Sequence, residues 1–139
     1  MKKTSILLAS FTALSGTSFG AIAITQSDSA IGGDYSSGAT VASGFTPSTG
    51  TNSVLVLHFG YDGAATSGMS ATFGGTAFTA HPDNGTATHA QIFYLANPGT
   101  TSGDIVFDSN GFNNGVVDEF LSYALVTGVD TSSIQTATG

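Results

Sequence analysis

The sequence offers four groups of residues whose types and spacing could do chemistry. Gly16-Thr17-Ser18-Phe19-Gly20 has the Gly-x-Ser-x-Gly spacing of a nucleophile elbow, in which a strand-turn-helix bend lifts a serine hydroxyl clear of its neighbours. That stretch lies within an apolar N-terminal leader, the wrong setting for such a bend. Asp118-Glu119 places two carboxylates side by side, and Glu119 is the only glutamate. Glycoside hydrolysis with retention needs two carboxyl groups about 5 Å apart on one sugar, whereas neighbours on a strand point to opposite faces. Solvated acids are the simpler reading. His58, His81 and His89 could share a metal: His58 falls in an apolar run, and His81 and His89 flank a turn-rich loop that could bring them together. The run Asp108-Ser109-Asn110-Gly111-Phe112-Asn113-Asn114-Gly115 concentrates oxygen ligands, with Asp118 and Glu119 close behind. Asp108, Asn110, Asp118 and Glu119 are therefore calcium candidates. Phe112 at the fifth position and the glycine placement depart from an EF-hand loop, and Asn-Gly turns account for the same residues without any ion. The reading assigns no catalytic and no cofactor-binding residue, with calcium as the one cofactor held open.

Charge narrows the field further. The chain has 139 residues with Lys+Arg 2 and Asp+Glu 9, a formal net charge of −7. Both cations, Lys2 and Lys3, precede the apolar stretch Ile6 to Leu14, and Ala21-Ile22-Ala23 supplies an A-x-A site with cleavage before Ile24. This arrangement reads as a secretory signal peptide over residues 1–23, with Ser18-Phe19-Gly20 as the competing cleavage site. Its loss removes both lysines and takes the side-chain charge from −7 to −9. Residues 24–139 then carry no cation, so nucleic-acid binding through basic side chains is excluded, as is electrostatic docking on anionic lipid. No lysine Schiff base can form. With no cysteine, thiol catalysis and zinc-thiolate sites are excluded too, and an exported domain of this size must stand on its hydrophobic core.

These residues need positioning elements, and the pattern supplies strands. The chain holds Gly 19, Phe 10 and no tryptophan, and is rich in Ser and Thr. Ser53 to Gly60 is a continuous apolar run that predicts a central strand. Weaker strands are expected over Ala21 to Gln26 and Ala39 to Phe45. Met69 to Phe73 and Thr76 to Thr79, joined by Gly74-Gly75, read as a hairpin. His89 to Leu95, Asp104 to Phe107 and Phe120 to Thr127 complete the set. In the last, Phe120, Ser122, Ala124 and Val126 share one face, with Leu121, Tyr123 and Leu125 on the other. About eight short, regularly spaced strands predict one all-β domain over residues 24–139, an antiparallel β-sandwich of Ig-like or jelly-roll-like kind.

Three of these segments also resemble a known module. Met69-Ser70-Ala71-Thr72-Phe73-Gly74-Gly75-Thr76-Ala77-Phe78-Thr79, Gln91-Ile92-Phe93-Tyr94-Leu95-Ala96-Asn97-Pro98 and Leu125-Val126-Thr127-Gly128-Val129-Asp130 resemble, in order and spacing, a β-sandwich module of secreted bacterial proteins and phage tail proteins. In several bacterial groups such modules precede a PEP-CTERM sorting segment. The resemblance implies further strands beyond the Gly-Val-Asp turn, so that the sequence to Gly139 is expected to be a C-terminally truncated fragment. It implies no catalytic residues, and the matched positions read as structural.

The expectation is a non-catalytic, exported β-sandwich at the cell surface or in the extracellular matrix, with a structural or adhesive role and extracellular polysaccharide or other surface proteins as partners. The alternative is a carbohydrate-binding module that uses Tyr35, Tyr61, Tyr94 and Tyr123 on a sheet face.

Overall fold

The computed structural model describes residues 21–31, 38–62, 68–81, 88–110, 120–132 and 134. Nine strands follow in order: β1 (Ala23–Ile31), β2 (Ala39–Phe45), β3 (Ser53–Asp62), β4 (Ser70–Phe73), β5 (Thr76–Ala77), β6 (Thr79–Ala80), β7 (Thr88–Ala96), β8 (Gly103–Asp108) and β9 (Phe120–Thr127). They form two antiparallel sheets, β1-β9-β3-β7-β6 and β2-β8-β4-β5. No helix among the described residues is long and apolar enough to cross a membrane.

The apolar run of β3 sits between β9 and β7, at the centre of its sheet. Leu55, Leu57 and Phe59 point inward and are fully buried, while Val54, Val56 and His58 alternate onto the outer face. Phe93 of β7 and Leu121 and Leu125 of β9 extend the same inner layer, and Ala71, Phe73, Ile105 and Phe107 meet it from the second sheet. Burying an aromatic or aliphatic side chain of this kind contributes about 1.5–3 kcal/mol. Phe107 sits at the centre, with ring centroids 4.7 Å from Phe59 and 5.7 Å from Phe93.

The Thr76 to Thr79 segment departs from a simple hairpin. Gly74 and Gly75 have φ of 53° and 83°, the left-handed pair that a two-residue hairpin turn demands, and Thr76–Ala77 pairs back onto β4. At Phe78 the chain leaves that sheet. Its side chain is buried, its amide donates to the Ala71 carbonyl, and Thr79–Ala80 pairs with β7 of the other sheet. One inserted aromatic thus divides the expected strand into β5 and β6. β1 runs further than the pattern suggests, to Ile31, because its alternation is polar and gives no hydrophobic signal. It is an edge strand, carried by pairing with β9. The β2–β3 connection clamps its first half: Gln26 Nε2 donates to the Thr46 carbonyl at 3.0 Å and its Oε1 accepts the Ser48 amide at 2.7 Å.

Candidate functional site on the outer sheet face

On the face turned away from the core, the serines and alanine of β1 and β9 stand beside Val56 and His58 of β3. Register places Ser29, Ser122 and His58 in one cross-strand row, and Ser27, Ala124 and Val56 in the next. The two rows floor a shallow, open trough of about 550 Å³, whose lining Asp28 and Tyr123 complete. Beyond it, β7 raises Ile92 beside His58 and Tyr94 beside Val56. At the other end Phe120 lies 36% exposed, its ring centroid 5.8 Å from that of His58 at an interplanar angle of 56°.

Serine, histidine and aspartate are the residue types of a hydrolytic triad, but their arrangement is not that of one. Asp28 on β1 is separated from His58 on β3 by the whole of β9, a backbone span of about 10 Å at the usual strand spacing. One oxygen of its carboxylate accepts the Ser29 amide at 2.7 Å. Among the described residues, the Ser27, Ser29 and Ser122 hydroxyls and the His58 imidazole make no hydrogen bond with the protein. What the trough presents is open hydrogen-bonding capacity beside apolar surface.

The other sequence candidates fall elsewhere. Asp108 ends β8, and its carboxylate accepts the Asn110 amide at 2.8 Å in a tight turn where Asn110 has φ 56°. Asp118 and Glu119 lie outside the described residues, and no group of three metal-ligating side chains occurs among those described. His81 continues the pairing of β6 by donating its amide to the Ile92 carbonyl, while His89 pairs with Tyr61 at the far end of β7. The Gly-x-Ser-x-Gly match and Tyr35 also lie outside the described residues. Tyr94 stands half-buried on the outer face, but Tyr123 turns inward, edge-on to Phe45 with ring centroids 5.3 Å apart. Partly buried, it packs against the core cluster. Burial, and secondarily the negative charge of Asp28, raise its phenol above the ordinary 10.0. The folded state therefore favours the neutral phenol. This contribution is complete below pH 10 and is lost as pH rises from there through the higher folded value. Urea unfolding followed across that range is expected to show declining stability in the native chain and a weaker decline in Tyr123→Phe.

The trough was not marked by any motif. The signal that could have found it is the period-two run of small residues in Ser27-x-Ser29 and Ser122-x-Ala124, set against the large residues of β7. Fold and site together define an antiparallel two-sheet β-sandwich with an open, polar-apolar trough on one outer face. No family model, curated protein or solved structure matches the chain.

Proposed function

We propose that this chain is a non-catalytic β-sandwich module of an exported bacterial protein, placed outside the cell or at its surface, with a structural or adhesive role. The observation that carries the reading is the junction between leader and domain. β1 begins at Ala23, at the expected cleavage point, and Ile22 and Ile24 are 71% and 67% exposed. Removing residues 1–23 therefore takes away no described core side chain and leaves β1 from Ile24 onward. The segments that resemble the PEP-CTERM-associated module support a structural role, since they serve to turn and pack the chain. Gly74-Gly75 makes the hairpin, Phe93 fills the core, and Leu125 is buried at the end of the last strand.

Expression of the full chain in a bacterium, followed by fractionation and N-terminal sequencing, tests the reading. The expected product starts at Ile24, or at Ala21 from the competing site, and lies outside the cytoplasm in the surface or matrix fraction. Cytoplasmic protein that keeps Met1 to Ala23 would overturn it.

A further inference from the structure

We propose that the trough over β1, β9 and β3 binds one pyranose unit of a neutral glycan, which names the partner for the adhesive role above and rests on that reading. Two observations select this chemistry. Ser27, Ser29 and Ser122 bring hydroxyls, and His58 brings an imidazole, into one concave space without a protein hydrogen-bond partner among the described residues. Each can both donate and accept, which suits a ligand whose hydroxyls do the same. The same space is bounded by Val56 and Ala124, with the partly exposed ring of Phe120 packed against His58. A pyranose has both kinds of surface, a hydroxylated rim and an apolar C–H face, and needs both kinds of contact. A purely apolar ligand would leave the serines and His58 desolvated and unpaired, at a cost for each buried group.

Charge then decides between neutral and acidic sugars. Beyond Lys3 the sequence contains no Lys or Arg, and the only formally charged residue in the lining is Asp28. Register puts Asp28 on the same face as Tyr123, away from the serines, so what decides is the missing cation: uronic acids, sialic acids and sulfated or phosphorylated sugars would find no countercharge. The volume of about 550 Å³ lies within the range of small-ligand sites, and the open mouth lets a polymer continue on either side of the unit bound.

The test uses the full processed chain and isotope-edited NMR with neutral gluco-, galacto-, manno- and xylo-oligosaccharides, alongside uronic-acid and sialylated oligosaccharides. At least one neutral series is expected to shift the signals of Ser27, Ser29, His58 and Ser122, with no comparable shift from the acidic sugars. Ser122→Tyr, which fills the floor, and His58→Ala, which removes the imidazole, are each expected to weaken binding by about tenfold or more. Thr76→Ala, in the hairpin of the other sheet, is expected to leave binding unchanged. The unliganded spectrum of each variant reports whether it folds, so a loss of binding is assigned only to a folded protein. Several results would overturn the proposal: no shift with any neutral series, equal binding of acidic sugars, undiminished binding in both folded trough variants, or concentration-dependent shifts without sugar, which would make this face a contact between copies. If export and surface retention persist while glycan binding fails, the glycan site alone falls. If export fails, the module reading falls with it.

Discussion

Phe107→Ala is expected to cost about 3–5 kcal/mol of stability, against the total of about 5–15 kcal/mol available to a domain of ordinary stability. Phe107 is fully buried on β8 and is the residue of the second sheet that touches aromatic rings of both β3 and β7, Phe59 at 4.7 Å and Phe93 at 5.7 Å. Truncation opens a cavity between two sheets whose backbones are held by long pairings on either side, so collapse around the void is restricted. The chain has no disulfide to hold it together meanwhile. Urea titration is expected to show a large drop in midpoint with little change in slope. Phe107→Leu, which keeps most of the volume, is expected to lose clearly less. Equal losses would show that the cost comes from something other than the cavity.

The second large effect concerns two glycines in contact. A Cβ on Gly103, at the start of β8, would lie 2.9 Å from the Gly74 Cα, 3.1 Å from the Gly74 nitrogen and 3.2 Å from Phe73 Cε2. The first two are backbone atoms of a turn fixed by the Gly74 amide, which donates to the Asp104 carbonyl at 3.0 Å. Nothing there can swing aside, so Gly103→Ala must push the β4–β5 hairpin off β8, an overpacking cost of about 1–3 kcal/mol. Gly74→Asn makes the informative comparison. A Cβ at Gly74 meets nothing closer than the Gly103 Cα at 3.9 Å, and its φ of 53° is one that asparagine accepts in such turns. That variant is expected to stay within about 0.5 kcal/mol of the native chain. The same calorimetric or urea measurement serves both, and a Gly103→Ala midpoint equal to the native one would refute the steric argument.

Much of the fold was legible because the strands that fill the core announce themselves. The boundaries of β2 and β9 agree with the sequence pattern, and β3, β7 and β8 differ from it by a residue or two at their ends. In β3, β7, β8 and β9, alternation or a solid apolar run is forced by burial of Leu55, Leu57, Phe59, Phe93, Ile105, Phe107, Leu121 and Leu125. The full extent of β1 was not legible, since an edge strand that buries little need not be apolar, and its register is imposed by β9. Nor was the division at Phe78, because strand propensity does not say which of two sheets a residue will join. The trough was hidden for a related reason. It depends on which small residues stand beside one another across three strands, Ser29 with Ser122 and His58, and those strands are far apart in sequence. The motif-like signals were local: Gly16 to Gly20 lies outside the described residues, and the Asp108 carboxylate accepts the amide of its own turn.

The pairing of β1 with β9 also sets how this chain can fold. Ala23 meets Thr127 and Ile31 meets Phe120, so the first strand has no partner until the last has been made. β2 must likewise wait for β8, and β3 for both β7 and β9. Among the described residues, only the β4–β5 and β6–β7 pairings join strands that follow one another. Closing such long loops must precede the contacts that reward it, which places folding in the slow range of milliseconds to seconds. A polypeptide delivered from its N-terminus would therefore keep its first strand unpaired until Phe120 to Thr127, its last, had emerged.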